Sequence, residues 1–570
     1  MSAESLDVNL TECERHRKRY YALLKKQAPF MNDWKEIAKY VSPRREFMDL
    51  DYEQGETVGK YIYDISPIIY SNELVSGFQG NIVTNAMLWF EFRFTNPKLS
   101  EIPEAKQWLE DWVRHLYGGF ERSKFYESIH PYIKDGIDFA TTTMTMEDDV
   151  AKRMINYLSR HPAETVIAEN KYGDVDTSYR KYKLSATAAY KEWGEKLSLK
   201  IQNAAKNSSM MYDEFEFIFG VYPNDNYDPT KDGTQFKKYE SIVFEAVSSG
   251  PDEAPLEKSG FSYFPDVVWR YDKNSTEWYG RGLFHDGLRL IKSLNRKAKD
   301  LGMASHYSVM PSWYAPLSHK GRLKTTPNTF NYYEKYSEEK IESIRKDINY
   351  PVGLDRVQDE RQQLRELLMV DYFLSLQEVA QNIKTATHAL EIKGEQAILL
   401  ATAVGRFESE GLDPLINNTF MIEYEAGRGP EVPEVLYDYG GDNIQIDYIG
   451  PLSLNQRRLF KSRGIMHSLD ALYRVMGIYP PAADKVDFDF VAEEILEGYG
   501  MPQKGIRSDE AVEKIRAARA QLEQQERQIM LTKELADSVP KLSKKVEPGS
   551  VLEKAQEAAA GQGAAAGGRG

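Results

Sequence analysis

The chain has 570 residues, a formal net charge of −14 and a single cysteine, Cys13. That length suits one very large domain or several smaller ones, and one thiol excludes an internal disulfide framework, which fits a reducing cytoplasm. The acidic total argues against a protein that grips nucleic acid over a broad basic surface, though not against one past which DNA slides.

The opening MSAESLDVNL is acidic and polar, unlike a signal peptide. Residues 9–40 read as a helix and a further helical turn. Tyr20, Leu23, Leu24, Trp34, Ile37 and Tyr40 form the apolar face, and the helix ends before Ser42-Pro43. A second helix spans about Ser66 to Val83, and Trp89–Phe94 alternates with the period of a strand. Residues 104–138 are helical, and 139–270 turn strand-rich, with Phe215–Ile218 and Ser241–Val247 the clearest strands.

From about 281 to 303 the pattern is again helical. Phe284, Leu288, Ile291, Leu294, Ala298 and Leu301 make an apolar stripe at 3–4 spacing. Arg289, Lys292, Arg296 and Lys299 make a second, wholly basic stripe. Like charges on one ridge repel, which a solvated face tolerates, and so does a face that meets a polyanion or an acidic neighbouring subunit. A loop-rich stretch, His306 to Leu354, leads to a helix over about Asp355 to Gln377. A polar connection, Glu378–Lys384, precedes a long helix from Thr385 to Glu423, broken or bent at Asp413-Pro414. The longest apolar stretch, near Ala397–Val404, is far too short to span a bilayer. Residues 444–448 alternate as a strand. Helices are expected at 453–476 and 485–498, and a last one behind an N-cap at Ser508, with Val512, Ile515, Ala518, Leu522 and Ile529 on one face. The Ala/Gly/Gln tail, Ala555–Gly570, has the composition of a disordered segment.

Signatures of bond chemistry are mostly absent. There is no phosphate-binding P-loop, no His-Glu-x-x-His and no paired Cys-x-x-Cys. The nine histidines, at 16, 115, 130, 161, 285, 306, 319, 388 and 467, have no metal-ligand spacing on a helix turn. Asp225, Asp228 and Asp232 before Gly233 miss the spacing of a calcium loop and read as an acidic hairpin tip. Asp484, Asp487 and Asp489 read as the solvated start of a helix. No catalytic residue, metal or cofactor is assigned.

An ordered series of short segments carries more information. It runs Ser42-Pro43-Arg44, Tyr63-Asp64, Leu74-Val75-Ser76-Gly77-Phe78, Trp89-Phe90, Ser123-Lys124-Phe125-Tyr126, Asp135-Gly136 and Tyr279-Gly280-Arg281-Gly282. Lys384-Thr385-Ala386-Thr387-His388-Ala389-Leu390-Glu391 is the most specific, followed by Gly405-Arg406-Phe407 and Leu412-Asp413-Pro414-Leu415-Ile416. Gly450-Pro451-Leu452, Gln456, Asp487, Gly500-Met501-Pro502 and Ile506-Arg507 complete it. This order resembles the head-to-tail connecting (portal) proteins of short-tailed double-stranded-DNA phages. His388 departs from the family's usual Thr-Ala-Thr-Glu-Val.

The resemblance implies an α+β, mainly helical fold with a wing, a two-helix stem, a clip and a helical crown. In this numbering the wing is 1–280 and 385–504, the first stem helix 281–304, the clip 305–354 and the second stem helix 355–377. A channel loop at 378–384, crown helices at 505–545 and a disordered tail at 546–570 complete it. It also implies a homo-oligomeric ring, usually a dodecamer, at one capsid vertex of the virion and assembled in the host cytoplasm. Such a ring performs no bond chemistry and needs no membrane. Its partners would be the terminase large subunit, tail adaptor and tail proteins, capsid and scaffolding proteins, and double-stranded DNA in transit. The DNA-channel candidates are Lys384, Arg289, Lys292, Arg296 and Lys299. Another virion structural protein, such as a tail adaptor, or a metal-dependent hydrolase using the Asp225–Asp232 cluster would be the rivals.

Overall fold

The computed structural model describes residues 10–45, 55, 57–100, 102–231, 233–247, 253–309, 350–371, 403–437, 444–450 and 509–542, with short pieces at 313–314, 317, 342–343 and between 468 and 492. The chain divides into two compact units, Met1–Gly464 and Ile465–Gly570.

The first unit mixes helices and antiparallel sheets. In chain order its main elements are α1 (Glu12–Tyr40), α2 (Ser66–Ile82), β1 (Phe90–Phe94), α3 (Pro103–Arg122), α4 (Phe125–Phe139), β2 (Thr141–Asp149), β3 (Met154–Arg160), β4 (Thr165–Glu169) and β5 (Val175–Ser185). Then come α5 (Ala186–Trp193), α6 (Leu199–Lys206), β6 (Glu214–Pro223), β7 (Tyr239–Glu245), β8 (Glu257–Phe261), β9 (Asp266–Arg270), α7 (Leu283–Val309), α8 (Tyr350–Leu367), α9 (Asp413–Glu425) and β10 (Ile444–Tyr448).

α1 is one continuous helix where the sequence suggested a helix and a further turn. It begins in a capping box, with Thr11 Oγ1 accepting from the Glu14 N–H and the Glu14 carboxylate accepting from the Thr11 N–H, both at 3.3 Å. The region expected to be helical over 104–138 is two helices, parted at Ser123-Lys124. Strands β4-β5-β6-β7-β8 form a five-stranded antiparallel sheet in that order, and β3-β2-β9 a three-stranded one. Successive residues of a strand face opposite sides. Ile218, Ile242 and Phe244 meet Tyr20 and Leu23 of α1 on one face; Phe217 and Val243 meet Trp193 and Ile201 of α5 and α6 on the other.

Helices α5 and α6 interrupt the strand-rich stretch and were not expected within it. The signals lie in Ser185, whose hydroxyl accepts from the Ala188 N–H as an N-cap, and in Gly194 at the C-cap with φ +58°. β1 pairs antiparallel with β10, Phe90 opposite Tyr448 and Phe94 opposite Ile444. Phe90, Phe92 and Phe94 enter the main core with Trp34, Trp89, Trp112 and Trp269. α9 is preceded by one turn of π-helix, Phe407–Leu412, that passes into Asp413-Pro414. The proline that marks a bend in the sequence therefore sits in the first turn of a new helical segment, where its missing N–H costs least.

In the second unit α10, Asp509–Leu542, is a 34-residue helix. Along it the expected apolar face is not buried: Leu522 and Ile529 are each 60% exposed. The expected helices at 453–476 and 485–498, the cap at Ser508 and the tail fall largely or wholly outside the described residues.

Candidate functional site

The basic stripe lies on α7, and the start of that helix is fixed by glycine. Gly280 packs against the turn after α4, where a Cβ would stand 2.1 Å from the Ala140 carbonyl oxygen. Its N–H donates to Thr141 Oγ1 at 2.8 Å. Phe284, Ile291 and Leu294 are fully buried, so the expected apolar stripe faces the core. The helix runs to Val309, past the expected end near 303. Asn295 is buried beside this stripe: its Oδ1 accepts from the N–H groups of Tyr63 (2.7 Å) and Asp64 (3.2 Å), and its Nδ2 donates to the Tyr61 carbonyl at 2.8 Å.

α8 returns antiparallel to α7. A Cβ at Gly287 would lie 3.2 Å from Leu367 and one at Gly353 3.1 Å from Leu301, so glycines set the close approach. Lys297 pairs with Glu360 between the helices. Arg361 reaches back to the buried Asp64 carboxylate at 2.6 Å, which also accepts from the Ser66 N–H. α8 begins at Tyr350, earlier than the expected Asp355.

The four stripe residues are all exposed. Lys292 pairs with Glu36 of α1 at 2.6 Å, and the Lys299 ammonium lies 5.2 Å from the centre of the Tyr63 ring. Among the described residues Arg289 and Arg296 have no ion-pair partner. Lys384, and with it the whole connection 378–384 and the segment Lys384–Glu391, lies outside the described residues.

The acidic alternatives separate into ordinary roles. Asp228 accepts from Thr230 and pairs with Lys231 at 2.9 Å, and these hydrogen bonds hold its carboxyl below the usual range. Asp232 lies outside the described residues. Asp487 caps the turn at Asp489 and Phe490, and Asp489 binds Arg516 through two hydrogen bonds. Asp484 is not described. Among the described residues no three His, Cys, Asp or Glu side chains are grouped to hold a metal.

Sequence reading missed two buried polar clusters. Arg270, at the end of β9, binds Glu410 of the π-turn through Nε and Nη2 at 3.0 Å each, and also binds Glu169. It donates further to the carbonyls of Gly173 (3.0 Å) and Trp278 (3.3 Å). Lys273 adds a second cation to Glu169 at 2.6 Å. In the other cluster, Asp138 accepts from the hydroxyls of Ser42 and Ser71 and lies 3.1 Å from Lys134 Nζ. Neighbouring Asp135 is fully buried, and burial, opposed by Arg45, pushes its carboxyl from 3.8 up to about 7. Arg45 lies 3.1 Å away but is not aligned for a hydrogen bond. Residues 140 apart in sequence, such as Arg270 and Glu410, give no local signal of their pairing. A Cβ at Gly136 would strike the Trp269 ring at 2.2 Å.

The family model described as bacteriophage head to tail connecting protein matches residues 14–507. Among curated proteins, the portal protein of Salmonella phage epsilon15 is 26% identical over 520 residues, covering 90% of this chain and 91% of its own. The probable portal protein of Bordetella phage BPP-1 is 25% identical over 530 residues, covering 92% and 94%.

Proposed function

The chain belongs to the family of bacteriophage head-to-tail connecting proteins, with the function of a viral portal, and on that premise we propose that identical copies, twelve in the usual case, close into a ring at one capsid vertex. The family match across residues 14–507 is the observation that carries this reading. A connector of this kind is structural and does no bond chemistry. Its ring assembles in the host cytoplasm with capsid and scaffolding proteins. The terminase large subunit docks on the clip, 305–354, and supplies the work of packaging; tail adaptor and tail proteins later take its place.

The wing comprises 1–280 and 385–504, the stem 281–304 and 355–377, and the crown 505–545. The antiparallel close-packed pair α7 and α8 supports the stem assignment, because two long helices joined at glycine contacts make a stiff hairpin. Twelve copies at −14 each carry about −168, so most of the ring repels DNA and does not retain it. Contact with phosphate is assigned to Lys384; the α7 stripe is the second candidate, and in it Lys292 and Lys299 already have partners within the chain.

Electron microscopy of the purified protein tests the ring: a closed ring with a central channel about as wide as a DNA duplex is expected, and a monomer at assembly concentrations overturns the reading. Lys384→Ala tests the contact, and unchanged packaging and retention of DNA would remove Lys384 from the channel.

A further inference from the structure

The α7–α8 pair has two outward ridges, one on each helix, and they carry opposite charge. Residues seven apart stand two turns apart on one ridge. On α7, Gly287, Lys297 and Leu301 are among the positions that touch α8. Arg289 and Arg296 fall on the side turned away from them, exposed and without an ion-pair partner among the described residues. On α8 the positions that touch α7 are Gly353, Glu360, Leu364 and Leu367. Asp355, Asp359 and Glu366 fall on the side turned away, all exposed. Of these, Glu366 accepts one hydrogen bond, from Gln362 at 2.9 Å, and no described cation pairs with any of the three.

Height decides whether the ridges can meet. In a closed ring every copy stands at the same level, and a side of one subunit meets the opposite side of the next. The contacts Gly287–Leu364, Lys297–Glu360 and Leu301–Gly353 fix which residues of the antiparallel pair share a level. By that register Arg289 is level with Glu366, and Arg296 is level with Asp359, with Asp355 one turn away. By the same register Asp300, also exposed on α7, comes level with Leu354 and Asp355, so one like-charge approach stands against the two unlike ones. A polyanion in the channel could also accept Arg289 and Arg296, but it would leave the acidic ridge of α8 without a partner.

We infer that Arg289 and Arg296 of one copy pair with Glu366 and Asp359 of the adjacent copy, so that the basic stripe is chiefly a subunit seam and not a DNA contact. This rests on the ring reading given above. The seam is electrostatic and exposed at its edges, so it sets the angle and order of assembly more than its strength, and it weakens as salt shortens the screening length.

The test is a charge swap read by native mass spectrometry and electron microscopy. Arg289→Glu with Arg296→Glu should lower the apparent association constant by roughly ten-fold or more. Adding Asp359→Arg with Glu366→Arg to that variant should restore rings. Circular dichroism of the monomers confirms that the exposed changes leave the fold intact. Full ring formation by the double Glu variant would overturn the seam, and weakened DNA retention beside it would assign the two arginines to DNA instead. Failure of the fourfold variant to recover rings would also overturn it. A wild-type chain that makes no rings at all would instead overturn the ring itself.

Discussion

Replacing Arg270 by Met keeps most of the side-chain bulk and removes only the guanidinium. In the native core that group makes five side-chain hydrogen bonds and is 3% exposed. Its loss strands two carboxylates to different degrees. Glu169 is 7% exposed but keeps Lys273 at 2.6 Å. Glu410 is 23% exposed and keeps Arg406 at 3.7 Å. Breaking a buried pair by removing one partner costs about 3–5 kcal/mol, and the remaining cations put this site at the lower end, near about 3 kcal/mol. Urea unfolding at a fixed protein concentration measures it, because ring association would otherwise move the midpoint. Glu410→Gln alone should cost less, and the two changes together should cost about 1–2 kcal/mol less than their sum, the mark of a direct contact. A loss under about 1 kcal/mol for Arg270→Met, or strict additivity with Glu410→Gln, would show that the π-turn is not held by this arginine.

Gly280→Ala places a methyl 2.1 Å from the Ala140 carbonyl oxygen and should cost about 3 kcal/mol in a melt, with α7 the first element to lose protection in hydrogen exchange. Asn295→Leu removes three hydrogen bonds to the backbone of residues 61–64 and should cost about 2 kcal/mol by the same measurement. Asp135 makes a pH-dependent contribution: burial raises its carboxyl from 3.8 to about 7, so the folded chain keeps a proton that the unfolded chain releases. Stability from this group therefore falls as pH rises from about 4 to about 7 and is level above that. Asp135→Asn should flatten that part of the profile, as read from urea midpoints at pH 5 and pH 8; an unchanged slope would exclude Asp135 as its source.

Local pattern made several elements legible. Alternation of Phe90, Phe92 and Phe94 marked β1, the apolar spacing of Phe284, Ile291 and Leu294 marked the buried face of α7, and Asp413-Pro414 marked the passage from π-turn to α-helix. Each of these depends on neighbours within a few residues. What the pattern missed depends on distance or on scale. Two eight-residue helices inside a strand-rich stretch are too short to build a period, although Ser185 and Gly194 bound the first of them. The stripe at Arg289–Lys299 was visible as chemistry, but its division was not. Glu36 and Tyr63, which engage Lys292 and Lys299, come from helices and loops more than 230 residues earlier.

The first helix has a further consequence, in time as well as in space. Its 29 residues, with Pro29 among them, follow about 43 Å of helical path. Cys13, Tyr20 and Leu23 settle against strands as late as Phe244, while Phe30 and Trp34 settle against Tyr279. None of those partners exists when the helix leaves the ribosome. At 5–20 residues per second, the roughly 240 residues between Tyr40 and Tyr279 take about 12–50 s to appear. For that interval the opening helix is an amphipathic rod with an uncovered apolar side. This helix is thus secured only long after it is made, and a chaperone that binds exposed apolar helices would find a long opportunity there.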